Sequence, residues 1–114
     1  MVQNRNKLIE LFIGNISNSI VHDILEKAIS KEMEVASRYR KELKTSLEVA
    51  KKYREKINPL NRTLPIKDIS YIKTKIINKV RAELMLRISK GYKNIDLELI
   101  PSLIDKILKE TGVE

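Results

Sequence analysis

Residues 18–57 read NSIVHDILEKAISKEMEVASRYRKELKTSLEVAKKYREKI, and these forty residues contain no glycine and no proline. Apolar residues recur along them every three or four positions, a spacing that indicates an amphipathic helix and excludes a strand. Pro59 and Pro65 then interrupt the pattern, because proline lacks the N–H that a helix interior needs. The sequence therefore predicts one long helix from about residue 18 to residue 57, against which the rest of the chain packs.

The predicted long helix carries a seven-residue recurrence of the kind that forms coiled coils and bundles. Forty helical residues span about 60 Å, whereas a compact chain of this size is about 35 Å across. The helix is thus expected to extend beyond a compact fold, and a second copy (most simply in a homodimer) or a helical partner is expected to cover its apolar row. The predicted oligomer interface consists of Ala36, Tyr39, Leu43, Leu47, Ala50, Tyr53 and Ile57. The alternative is a bent helix, or a break near Thr45 and Ser46, giving a compact monomer.

Three shorter helices are predicted around the long one. The first covers about residues 4–13 and ends at Gly14, because a glycine readily adopts the left-handed conformation that closes a helix. The third covers about residues 66–90, ends at Gly91 and is expected to form a hairpin with helix two. The last lies between residues 94 and 112, where Pro101 either kinks it or occupies its first turn. The predicted fold class is therefore all-α: a four-helix, bundle-like single domain covering residues 1–114.

The composition limits the classes to which the protein can belong. With 42% hydrophobic residues the chain can bury a core, and 114 residues are typical of one domain. The absence of cysteine excludes disulfides and thiolate metal sites. An abundance of isoleucine, lysine and glutamate is typical of thermophile proteins. No apolar run approaches the roughly 18 residues that span a bilayer, so the protein is expected to be cytoplasmic and not to bind a membrane.

Positive charge is concentrated in the middle of the chain. Residues 38–93 contain seventeen lysines and arginines against five aspartates and glutamates, whereas the segments on either side are slightly acidic. A hairpin of helices two and three would gather many of these cations near its tip, where they neutralise phosphates and release counterions. Tyr71 would add a surface on which a base stacks. The predicted nucleic-acid-binding residues are Lys41, Lys44, Lys51, Lys52, Arg54, Arg62, Lys67, Lys73, Lys75 and Lys79.

No catalytic pattern is visible in the sequence. The single histidine, His22, lies four residues before Glu26, and such a pair supplies only two of the three or four ligands that a zinc site needs. The three glycines lie at predicted helix ends and form no phosphate-binding loop. No metal site, cofactor, catalytic residue or small-molecule substrate is therefore predicted.

These features favour a non-enzymatic accessory or scaffold protein that contacts DNA or RNA without sequence preference. The alternative is a protein-interaction or assembly module that associates through helix two and has no nucleic-acid role. An enzyme whose site is not visible in the sequence is a third alternative. Binding to nucleic acid at two salt concentrations distinguishes the first two, because phosphate contacts weaken steeply as salt rises.

Overall fold

The computed structural model describes residues 5–28, 33–57 and 64–113, without the side chains of residues 33–36. These residues form four α-helices: α1 (Arg5–Ala28), α2 (Met33–Ile57), α3 (Ile66–Ser89) and α4 (Ile100–Glu110). A single 3₁₀ turn, Leu97–Leu99, precedes α4, and the described residues contain no strand. The predicted all-α, four-helix, bundle-like fold is confirmed.

The first helix is longer than predicted, and Gly14 does not end it. α1 continues through Gly14 as far as Ala28. Buried apolar side chains lie on both sides of the glycine at helical spacing, among them Phe12, Ile16 and Ile20. A glycine inside a helix costs about 0.5–1 kcal/mol, whereas burying each of these side chains contributes about 1.5–3 kcal/mol. Burial of a continuous face therefore outweighs the local preference of one residue.

The single helix predicted for residues 18–57 is wrong, because its two halves belong to different helices that fold back on each other. Three polar contacts join α1 to α2, and the partner on α2 moves towards the N-terminus as the residue on α1 moves towards the C-terminus. They are Asn18–Ser46, His22–Glu42 and Glu26–Arg40. α1 and α2 are therefore antiparallel. The predicted alternative, a break near Thr45 and Ser46, is also wrong, since both residues lie within α2.

The predicted hairpin of helices two and three is also wrong, because α1 lies between them. α1 contacts α2, α3 and α4, whereas α2 and α3 share no extended contact. The first turns of α1 meet the first turns of α3: Arg5 lies 2.5 Å from Asp68, and the Tyr71 hydroxyl donates to Glu10. α1 and α3 therefore run in the same direction, and α2 runs opposite to both.

The third and fourth helices have nearly the predicted bounds. α3 begins directly after Pro65 and ends before Gly91, whose φ is +97°. Pro101 lies in the first turn of α4, which is one of the two predicted arrangements. Asp96 accepts a hydrogen bond from the backbone N–H of Glu98 at 3.0 Å and so begins the 3₁₀ turn.

The core is aliphatic, and α1 lies at its centre. Its largest fully buried side chains are Phe12, Ile13, Ile16, Ile20, Ile24 and Leu25 on α1, Ile72, Ile76, Val80 and Leu84 on α3, and Ile104 and Leu108 on α4. The longest dimension is 42 Å, and the longest helix, α2, has 25 residues, or about 38 Å. No described helix therefore extends far beyond the fold, and the length argument for a second chain covering helix two does not hold.

α1 also has the length and composition of a membrane-spanning helix, which the count of uninterrupted apolar residues overlooked. An 18-residue window of α1 has a mean hydropathy of 1.2. Signal sequences and the core helices of soluble proteins share both properties. In this fold, 67% of the window is buried inside the chain, as in a core helix.

Candidate functional site

The side of α2 that points away from α1 is exposed and basic. Its inward side is fixed by a buried row at helical spacing, which includes Ser46, Ala50 and Ile57. Because this row faces α1, the opposite side of α2 faces solvent. We call the exposed surface of α2, from that side to its borders with α1, the outer face of α2; its exposed cations among the described residues are Arg38, Arg40, Lys41, Lys44, Lys51, Lys52 and Lys56. Among the side chains of α2 that the structure describes, three carboxylates share this exposed surface, namely Glu42, Glu48 and Glu55.

Four of the predicted nucleic-acid-binding lysines therefore lie together on one surface. Lys41, Lys44, Lys51 and Lys52 are all on the outer face of α2. Their neighbours Arg38, Arg40 and Lys56 belong to the same face but were not predicted. The signal that would have found them is the helical spacing itself, because each lies three or four residues from a predicted member.

The predicted lysines of the third helix lie on a separate surface. Lys67, Lys75 and Lys79 are exposed on α3, and Lys73 is partly buried with its ammonium 3.4 Å from Asp105. Because α1 lies between α2 and α3, these groups do not line a common hairpin with the cations of α2. Arg62 lies outside the described residues.

Arg54 is not a surface cation, contrary to the prediction. It is only 4% exposed, and its guanidinium Nη2 donates to the carbonyl oxygen of Gly112 at 2.6 Å. Burial lowers the pKa of Arg54. The side chain thus ties the end of α2 to the turn that follows α4, and it is unavailable to a polyanion.

Tyr71, predicted as a stacking surface, has a hydrogen-bonded hydroxyl group and an exposed ring. Its hydroxyl donates to Glu10, and that hydrogen bond raises the pKa of Tyr71. The ammonium of Lys75 lies 5.7 Å from the centre of the ring. The ring is exposed, but it lies on the α3 surface and not beside the outer face of α2.

The residues of the predicted oligomer interface pack within the chain itself. Ala50 and Ile57 are buried, and Tyr39, Leu47 and Tyr53 are partly buried against the same core. Leu43 is half-buried, and the side chain of Ala36 lies outside the described residues. This row therefore covers α1 of the same chain.

A groove of about 380 Å³ runs between α1 and α2. It is lined by Asn18, Arg38, Lys41, Glu42, Thr45 and Ser46, and we call it the α1–α2 groove. The amide of Asn18 donates to the Ser46 hydroxyl at 2.7 Å. The sequence did not predict this groove, because its two walls meet only when residues 18–28 fold back on α2.

His22 lies beside the groove and pairs with Glu42 instead of Glu26. Its Nε2 is 2.7 Å from a Glu42 oxygen, and its ring centre is 5.6 Å from that of Tyr39. Glu26 instead lies 3.1 Å from Arg40. Among the described residues, no three His, Asp or Glu side chains lie close enough together to hold a metal ion.

The His22–Glu42 pair lacks the third member of a nucleophilic triad within the described residues. Such a triad needs a hydroxyl on the second ring nitrogen. Here Nδ1 of His22 is buried, and no described group forms a hydrogen bond with it. The groove and the outer face of α2 carry cations and hydroxyl groups, which are chemically suited to binding an anion.

Comparison with known protein families, with characterised proteins and with solved structures finds no match.

Proposed function

We propose that this chain is a non-enzymatic helical accessory protein that contacts nucleic acid without sequence preference through the outer face of α2. The observation that carries the proposal is the charge of that face, where seven exposed cations share the surface with three carboxylates among the described side chains. One of those carboxylates, Glu42, is already held by His22, and one of the cations, Arg40, by Glu26. The remaining surface is still clearly positive.

The geometry suits an extended polyanion. Arg38 and Lys56 are eighteen residues apart on one helix, which corresponds to about 27 Å. A polyphosphate backbone presents charges repeatedly over such a distance, and each phosphate that is neutralised releases a counterion. Contacts of this kind are made to phosphates and carry no sequence information, so the expected binding is the same for random sequences.

Binding to random duplex DNA and duplex RNA at about 50 and about 200 mM salt tests the proposal. In the test variant, Lys41, Lys44, Lys51 and Lys52 are replaced by glutamine. The matched control replaces four other exposed lysines by glutamine, namely Lys90, Lys93, Lys106 and Lys109. These replacements change the net charge by the same amount.

The wild type and the control are expected to bind at low salt and to lose affinity as salt rises. The test variant is expected to bind at least about tenfold more weakly and to show a shallower salt dependence, because each lost phosphate contact reduces the slope by about 0.9. Equal losses of affinity in the test variant and the control would mean that the net charge of the chain, and not the outer face of α2, determines the binding. No binding of the wild type at the lower salt would eliminate the nucleic-acid function.

Self-association is a second candidate function, favoured by an apolar surface at the end of α3. Met85, Leu86, Ile88 and Tyr92 are exposed there, and Leu86 is 49% exposed. Asp96 and Glu98 follow closely in the chain, so a two-fold contact can set the nearby lysines of one copy against the carboxylates of another. The occupant we infer for this surface is a second copy of the chain.

Light scattering at micromolar concentration tests this second candidate. A dimer mass is expected for the wild type and a monomer mass for Leu86→Lys. Ile66→Lys is the control, because Ile66 is 82% exposed at the opposite end of the same helix. A monomeric wild type, or a dimer that survives Leu86→Lys, would eliminate self-association through the end of α3.

A further inference from the structure

We propose that the α1–α2 groove holds a single phosphate group, bound by the side chains of Arg38 and Lys41. We take this phosphate to belong to the backbone of a nucleic acid, and in that respect the inference rests on the proposed function. The other source of the same chemistry is a phosphorylated small molecule. The groove differs from the rest of the outer face because neutral hydrogen-bond donors accompany its cations.

Arg38 and Lys41 provide the positive charge of the groove. They are three residues apart on α2, so their side chains lie next to each other on one side of the helix. Both are exposed, and no described carboxylate forms an ion pair with either of them. Guanidinium groups bind phosphate oxygens through two parallel hydrogen bonds, and an ammonium adds a third contact.

Asn18 on α1 and Thr45 and Ser46 on α2 supply amide and hydroxyl groups beside these cations. Ser46 is buried, and its hydroxyl oxygen accepts from one N–H of the Asn18 amide at 2.7 Å. The hydroxyl proton of Ser46 and the second N–H of Asn18 therefore remain as donors toward the groove. Thr45 donates its own proton to the Lys41 carbonyl oxygen at 3.1 Å, which fixes its side chain on the groove wall.

Glu42 is the one carboxylate among the residues that line the groove, and His22 holds it at the seam between the helices. The Nε2 of His22 lies 2.7 Å from a Glu42 oxygen and is within hydrogen-bond distance of it. That contact holds the Glu42 carboxylate against α1. The groove volume of about 380 Å³ is more than ten times the roughly 30 Å³ share of one water molecule, so a phosphate has room together with its ester group.

An amide NMR titration of the full chain with inorganic phosphate, at constant ionic strength in chloride, tests the site. Saturable shifts are expected at residues 18, 38, 41, 45 and 46. Arg38→Gln combined with Lys41→Gln is expected to weaken the apparent affinity by about tenfold or more, as for the loss of charge-assisted hydrogen bonds. Lys44→Gln combined with Lys51→Gln removes the same charge from the same helix and is expected to change it by less than about twofold.

Shifts that spread over all lysine-rich surfaces without saturating, or equal losses in both double variants, would overturn the groove as a phosphate site. The same variants, assayed with random duplex, separate this inference from the proposed function. Saturable phosphate binding without duplex binding would retain the groove as a site for a phosphorylated small molecule and eliminate the nucleic-acid function. Duplex binding that both double variants weaken equally, without saturable phosphate binding, would retain the function and eliminate the groove.

Discussion

His22 and Glu42 contact each other across the two helices of the first hairpin, with Nε2 2.7 Å from the carboxylate oxygen. His22 is buried, whereas the Glu42 side chain is 54% exposed. One turn away, Asn18 donates to the buried Ser46 hydroxyl. Shifting α2 along α1 by one turn would leave the buried imidazole and hydroxyl without these partners, and each unmet buried polar group costs about 1–3 kcal/mol. These contacts therefore fix the register of α1 and α2.

A double-mutant cycle measures the coupling of this pair. His22→Ala and Glu42→Gln are expected to show a coupling energy of about 0.5–1 kcal/mol in urea unfolding, because one partner is half-exposed. The control cycle uses Asp23 and Lys27, which lie 3.0 Å apart within α1 and are expected to couple by less than about 0.5 kcal/mol. A His22–Glu42 coupling no larger than the control value would show that the pair does not fix the register.

Gly14→Ala is expected to stabilise the protein by about 0.5–1 kcal/mol, because alanine favours the helix interior over glycine. A Cβ at this position meets no atom within 4 Å, so the methyl group needs no repacking. Thermal unfolding measures the change. Gly112→Ala is the control with the opposite sign, since its φ of +76° costs an L-residue about 1–2 kcal/mol. Destabilisation by Gly14→Ala would mean that the helix ends there after all.

The second half of the fold was predictable because its helix ends carry unambiguous residues. Pro65 precedes α3, Gly91 follows it with a positive φ, and Pro101 lies in the first turn of α4. Each of these residues restricts the backbone in only a few ways, so the local sequence decides the boundary. The stripe of isoleucines in α3 then specifies which side faces the core.

The first half was not predictable in the same way, because tertiary burial decides it. Residues 29–32 separate α1 from α2 and include neither glycine nor proline, whereas Gly14 lies inside a helix. A forty-residue helix would leave its apolar side chains exposed along one line. Folding the two halves together buries them on each other, and such packing supplies most of the stability of a helix in a protein.

The candidate site was predicted only where exposure follows from the position on the helix. The lysines of the outer face of α2 are opposite the buried row and are exposed as expected. The prediction was wrong for Arg54 because a charged side chain is not always exposed. It lies four residues after Ala50 and three before Ile57, which are both buried. The Asn18–Ser46 contact requires the hairpin, so no pattern within α2 alone predicts the groove.

Arg54→Ala is expected to destabilise the protein by about 2–4 kcal/mol, because it removes a buried charge-assisted hydrogen bond and the packing of the side chain. That hydrogen bond runs to the Gly112 carbonyl oxygen at 2.6 Å. Arg54→Met keeps much of the stem and is expected to lose less. Lys52→Ala, two residues away on the outer face, is the control and is expected to change stability by less than about 0.5 kcal/mol in urea unfolding. Equal effects of the two alanine substitutions would contradict the role of Arg54.

Tyr39 is expected to make the stability of the protein depend on alkaline pH. Burial raises the pKa of the Tyr39 hydroxyl above its ordinary value of 10.0, and neighbouring Tyr92 raises this pKa further. The folded state thus holds the proton more tightly than the unfolded state. The stabilisation that results is complete below about pH 10 and is lost as pH rises through the folded-state pKa.

Tyr39→Phe has no such proton to lose, so its free energy of unfolding is expected to fall less steeply than that of the wild type above pH 10. Tyr92→Phe removes only the contribution of the neighbour, and its slope is expected to lie between the other two. Urea unfolding at a series of pH values measures all three slopes. The comparison between variants cancels the deprotonation of the lysines, which the three proteins share. Parallel curves for the wild type and Tyr39→Phe would show that the hydroxyl of Tyr39 has the same pKa in the folded and unfolded chains.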